Sequence, residues 1–143
     1  MKELMIAAEV KNLDEVMAFV DAFLEEAGCS MKTQMQIDLA VEEIFVNIAS
    51  YAYAPNTGLA TIRLEQTDDG DAVRIVMIDQ GIPYDPLSKA DPDITLSADE
   101  RQIGGLGILL TKKNMDDVQY EYANNSNILT LIKTISQKGE RTC

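Results

Sequence analysis

Two pairs of β-rich segments, each pair joined by a turn of a few residues, constrain this chain more than any other feature. LATIRLEQT and DAVRIVMID are linked by Asp68-Asp69-Gly70; DVQYEYA and NILTLIKTIS are linked by Asn124-Asn125-Ser126. β-rich segments bounded by turn-forming residues predict strands, and links this short predict β-hairpins. Parallel neighbours need a crossover of a dozen or more residues, so the sheet is expected to be largely antiparallel.

The first third of the chain has another pattern. Residues 2 to 10 alternate loosely and predict one more strand, after which Asn12 stands as an N-cap for LDEVMAFVDAFLEEAG, with Gly28 placed to end that helix. Ser30 predicts the cap of a second helix reaching about Tyr53, in which Ile37, Val41, Ile44 and Ile48 form a stripe at steps of three and four, and Pro55 stops it. A third helix follows the glycines of RQIGGLGILL and runs to about Asn114. The order β, α, α, β, β, α, β, β, with hairpins supplying the strands, predicts an α+β two-layer sandwich with a mixed, mostly antiparallel sheet and helices on one face. At 143 residues, the length suits a single domain spanning 1–143.

Charge and residue usage exclude several functions. A net charge of -12 repels nucleic acid and anionic membrane surfaces, so neither is an expected direct partner. Histidine is absent, which removes Ser-His-Asp catalysis, histidine metal sites and histidine autophosphorylation. The two cysteines, Cys29 and Cys143, form no Cys-x-x-Cys pair. MKELMIAAEV lacks the pattern of an export signal, and no apolar stretch approaches the roughly 20 residues of a membrane helix. A reducing cytoplasm is the expected setting.

The glycines of RQIGGLGILL raise the question of a phosphate site, since backbone N–H groups at a helix start bind anions. The segment has neither the G-x-G-x-x-G spacing of a dinucleotide fold nor the Lys-Ser/Thr of a P-loop. It follows a 25-residue stretch from Asp79 through Ile103 that contains Pro83, Pro86 and Pro92 and has no sustained period, a candidate lid. Three further features bear on it. Glu43 and Asn47, four residues apart, share a helix face and suit a general base and an oxygen ligand for Mg²⁺. Asp79 ends an apolar strand, where its carboxylate can accept from an amino group, and Gly81 allows a flat ring close to the backbone. Thr130 lies in a late strand. Each alone also fits an ordinary use: a solvated helix face, a strand-ending turn, a good β-former.

Together, AVEEIFVNIASYAY, IDQGIPYDP and GGLGILLTKKNMDDVQYEY resemble, in this order and over nearly the whole chain, the three boxes of the GHKL or Bergerat ATP-binding fold found in DNA gyrase, sensor histidine kinases and MutL. Length, the Gly-Leu-Gly-Ile start and Met115-Asp116-Asp117-Val118 narrow the resemblance to the small anti-sigma factor serine kinases. The resemblance implies ATP and Mg²⁺ as cofactors. It implies that Asn47 holds Mg²⁺, Glu43 polarises the attacking hydroxyl or water, and Asp79 meets the adenine amino group, with Gly81 beneath the ring and Thr130 assisting. Gly105, Leu106 and Gly107 would cradle phosphate under a lid from about Ile82 to Ile103. Arg101 is a candidate γ-phosphate contact or a solvated loop residue. Where many relatives carry histidine four residues after the box asparagine, this chain has Tyr51, while Tyr53 matches the later tyrosine.

The implied function is a serine/threonine kinase that phosphorylates a STAS-domain antagonist protein and sequesters a sigma factor; relatives it resembles dimerise. The alternative is a non-catalytic switch, in which nucleotide orders the lid and changes a protein-binding surface.

Overall fold

The computed structural model describes residues 1–88 and 105–135. The elements are β1 (Lys2–Ala7), a 3₁₀ turn (Val10–Asn12), α1 (Leu13–Glu26), α2 (Met31–Asn47), a π-helical turn (Ile48–Ala52), β2 (Leu59–Gln66), β3 (Ala72–Asp79), a second 3₁₀ turn (Pro86–Ser88), α3 (Gly105–Asn114), β4 (Asp117–Ala123) and β5 (Ser126–Thr134). The strands form one sheet in the order β1-β2-β3-β5-β4, and every pairing is antiparallel. The α+β fold expected from the hairpins is therefore present, without the parallel component that a mixed sheet allowed for.

The turns follow from residue chemistry. Asn124 and Asn125 adopt φ of 55° and 60°, the positive values that both central residues of a type I′ hairpin turn need and that asparagine tolerates. Ser126 belongs to β5, so the turn is one residue tighter than its sequence suggests. In the β2–β3 hairpin, Gly70 takes φ +74°, and the Asp69 carboxylate accepts from the Thr67 hydroxyl at 2.6 Å and the Asp71 N–H at 2.9 Å.

Helix ends are equally local in origin. Gly28, at φ +78°, closes α1: its N–H reaches the Glu25 carbonyl at 3.1 Å and the Cys29 N–H reaches the Leu24 carbonyl at 3.0 Å, the paired bonds of a Schellman stop. Ser30 accepts the Thr33 N–H at 3.2 Å and so caps α2. Asn12 precedes α1 as the spacing predicts, yet its side chain makes no cap bond. Its amide instead donates to the Ala7 carbonyl at 2.9 Å, fastening the end of β1 to the helix start.

α2 packs against both α1 and α3. Its Ile37, Val41 and Phe45 are fully buried, each contributing roughly 1.5–3 kcal/mol relative to exposure. Beneath the helices the sheet presents successive cross-strand rows on one face. Leu64, Ile75, Leu131 and Val118 form one, and Ile62, Met77, Leu129 and Tyr120 the next. The row after that is Ala60, Asp79, Asn127 and Tyr122. The core thus turns polar at its central pair, and there the cavity lies.

Candidate functional site

Asp79 is the last residue of β3 and only 5% exposed. A buried carboxylate needs donors, and its Oδ1 receives two: the Gly81 N–H at 2.9 Å and the Asn127 Nδ2 amide at 2.9 Å. These bonds leave Oδ2 unused, while the residue lines a cavity between α2 and the sheet. The cavity walls are mainly apolar: Ile44, Ile48 and Ala52 from the α2 side, Met77 and Leu129 from the sheet. Tyr51, Tyr84 and Tyr120 add aromatic surface, and Asn47, Asp79 and Asn127 are its amide and carboxylate groups. A hollow lined by apolar and aromatic residues with a few convergent polar groups suits a small flat ligand.

The segment that follows α2 is held against the end of β3 by close backbone packing. α2 passes into the π-helical turn Ile48–Ala52, an irregularity frequent at functional sites. The Ala52 carbonyl accepts the Ile82 N–H at 2.9 Å. A Cβ on Gly81 would stand 2.2 Å from that carbonyl oxygen, so the close approach that requires glycine is to Ala52, and Gly81 does not line the cavity. Tyr53 locks the same junction: its hydroxyl donates to the Leu59 carbonyl at 2.6 Å and accepts the Gln80 N–H at 2.7 Å. Its ring fills the space beside Gly58, where a Cβ would come within 2.4 Å.

Glu43 and Asn47 lie on one face of α2, and Asn47 Nδ2 donates to Glu43 Oε1 at 3.4 Å. That bond turns the Asn47 oxygen, a hard donor, away from the glutamate. Burial pushes the Glu43 carboxyl above its ordinary range, the Asn47 amide opposes the shift and the charge of nearby Glu42 reinforces it. A carboxylate raised in this way accepts a proton more readily than an exposed glutamate. Asn47 lines the cavity, and Glu43 stands one turn earlier on the same helix.

The remaining residues divide. Thr130 is apart from this group: β5 buries Asn127, Leu129 and Leu131 in alternation, which puts Thr130 on the opposite sheet face. The β5 side chains that line the cavity are Asn127 and Leu129. Gly105, Leu106 and Gly107 form the first turn of α3, so their backbone N–H groups belong to a helix N-terminus. Arg101 and most of the expected lid lie outside the described residues, which stop at 88 and resume at 105. Asn127 went unnoticed in the sequence. Its signal is register alone, since it pairs directly with Asp79 across strands.

Solved structures share this architecture. The RsbU and RsbW domains of Rv1364c from Mycobacterium tuberculosis superpose with a TM-score of 0.64 at 17% identity, over 94% of this chain and 33% of that one. A blue-light activated histidine kinase from Erythrobacter litoralis gives 0.59 at 14% identity, over 78% of this chain and 33% of that one. The fold is the Bergerat-type ATP-binding sandwich. The chain belongs to the family of histidine kinase-like ATPase domains, with the match running over residues 6–133. It is 30% identical over 102 residues to the serine/threonine-protein kinase BtrW of Bordetella bronchiseptica, covering 71% of each chain. It is 26% identical to the serine-protein kinase RsbW of Staphylococcus epidermidis, covering 97% of this chain and 89% of that protein. Among the described residues no helix is long and apolar enough to cross a membrane.

Proposed function

We propose that this chain is a cytoplasmic Mg·ATP-dependent serine/threonine kinase that phosphorylates a STAS-domain antagonist protein and, through it, controls a sigma factor. The observation that carries the reading is the convergence of buried Asp79 and of Asn47 on one cavity, with Glu43 one helical turn from Asn47 and hydrogen-bonded to it. Adenine would lie against the apolar and aromatic walls with its amino group on Asp79. The phosphates would extend along α2 toward the N-terminus of α3, whose first turn holds Gly105, Leu106 and Gly107.

Among the described residues no three carboxylate, histidine or cysteine groups gather to hold a metal. A lone amide oxygen beside the cavity, that of Asn47, suits Mg²⁺, which takes one or two protein oxygens and fills its shell with phosphate oxygens and water. Asn47 Oδ1 would be the protein ligand. When bound, the ion would supply charge neutralisation at the phosphates. Glu43 would accept the proton of the attacking serine or threonine hydroxyl, its raised basicity serving that step.

The test is incubation with γ-labelled ATP, Mg²⁺ and a purified STAS-domain protein from the same genome. Label on a serine or threonine of that protein is the expected result. ATP binding that changes partner affinity without phosphate transfer or hydrolysis would overturn the kinase reading in favour of a nucleotide-dependent switch.

A further inference from the structure

We propose that Asn127 is the positioning residue that fixes which purine edge this cavity accepts, by locking the orientation of Asp79; the proposal rests on the reading of the cavity as a base pocket. Asn127 is 6% exposed, and its amide uses all of its hydrogen-bonding capacity. Nδ2 donates to Asp79 Oδ1 at 2.9 Å and to the Ile82 carbonyl at 2.8 Å. Oδ1 accepts the Tyr84 N–H at 3.1 Å and the Tyr120 hydroxyl. Two of these partners are backbone groups of fixed polarity: a carbonyl can only accept and an N–H can only donate. The amide therefore has one orientation, and that orientation directs a donor at Asp79.

The consequence passes to the carboxylate. With Asn127 and the Gly81 N–H both on Oδ1, the plane of the Asp79 carboxylate is set and Oδ2 is the oxygen left for a ligand. It can only accept, so it complements an exocyclic amino group and repels the carbonyl of a 6-oxopurine. A site built around such a buried polar group discriminates far more strongly than an apolar slot. Asn127 also ties Asp79 to Ile82 and Tyr84, which lie 45 and 43 positions before Asn127 in sequence, so base selection and the start of the following loop share one side chain.

The experiment compares dissociation constants for ATP, inosine triphosphate and purine riboside triphosphate, the last lacking any 6-substituent, by calorimetry on the wild type and on Asn127→Ala. The wild type is expected to prefer ATP over inosine triphosphate by at least about 100-fold. In Asn127→Ala the ratio is expected to fall to within about 10-fold, with affinity for the riboside nucleotide within about threefold of wild type. Equal weakening of all three nucleotides, with the ratio unchanged, would reveal a merely structural role and overturn the proposal. Should the alanine variant fail to fold, Asn127→Asp decides. It retains shape and acceptors but turns an oxygen toward Asp79 Oδ1 and the Ile82 carbonyl, so ATP preference should be lost at pH 8 and partly restored as the introduced carboxyl protonates at lower pH. Wild-type selectivity in that variant at pH 8 would overturn the assignment alone. Absence of nucleotide binding to the wild type would overturn the pocket reading together with it.

Discussion

The two ends of the cavity are built on different principles. At the floor, Asp79 and Asn127 are joined at 2.9 Å and each has further partners from the backbone. Along α2, Glu43 and Asn47 meet at 3.4 Å, near the limit of a hydrogen bond. One end is a buried network whose geometry is fixed before any ligand arrives. The other is a pair of half-buried side chains on a helix, free to turn toward whatever lies between α2 and α3. The floor is thus suited to selecting a ligand and the α2 end to acting on it, a division that makes affinity and rate separately breakable.

The largest effect is expected from Glu43→Ala. Removing a general base lowers turnover by about 10²–10⁴-fold, whereas ATP affinity should stay within a few-fold because the floor is untouched. Single-turnover transfer of γ-labelled phosphate and a nucleotide titration measure the two quantities. Since the base acts ionised, wild-type rate should rise with pH through the raised Glu43 pKa. An affinity loss as steep as the rate loss would break the division.

Asp79→Ala should produce the converse. Losing a charged hydrogen-bond acceptor costs about 1.5–3 kcal/mol, roughly 10- to 150-fold in the ATP dissociation constant. Saturating nucleotide should largely recover turnover. Calorimetry together with kcat at high ATP checks both halves, and a fall in kcat at saturation would make Asp79 part of the α2-end chemistry.

The same contrast explains what was legible in the sequence. Glu43 and Asn47 could be read because an i, i+4 pair on a capped, periodic helix must share a face, and Ser30 and the stripe from Ile37 define that helix. Asp79 could be read from its place at the end of an apolar strand. Thr130 could not be assigned a face, because Ile128, Leu129, Leu131 and Ile132 make β5 an almost continuous apolar run and blur the period that separates its faces. Asn127 was hidden for another reason: its partner Asp79 lies 48 residues away, and only the β3–β5 register brings them together. Gly81 announced a close approach without naming what approaches, and that neighbour is the Ala52 carbonyl.

Gly81→Ala separates packing from ligand contact at the floor. Its Cβ would meet the Ala52 carbonyl oxygen at 2.2 Å, and backbone cannot move aside as a side-chain tip does. A loss of about 1–3 kcal/mol in folding stability is expected without any nucleotide present, read as a lower midpoint in urea. Unchanged stability with weakened ATP binding would instead return Gly81 to the ligand.

The smallest effect concerns α1 and α2, away from both ends. Asp21 and Asp38 each bury an Oδ1 atom that no donor reaches while both groups are ionised. A proton on Asp38 supplies the missing bond to Asp21. Burial first, then that bond and the charges of Asp21 and Glu42, push Asp38 up from 3.8 to about 7. The folded state therefore holds this proton more tightly than the unfolded chain does. The stabilisation it gives is complete below pH 3.8 and is lost as pH rises through about 7. The urea midpoint should accordingly fall between pH 5 and pH 8. Asn at position 38 carries its own donor to Asp21, so Asp38→Asn should gain about 0.5–1 kcal/mol at pH 8 and flatten the pH dependence. A slope that survives the substitution would move its origin from this carboxyl pair to other groups such as Glu43, whose carboxyl burial also raises.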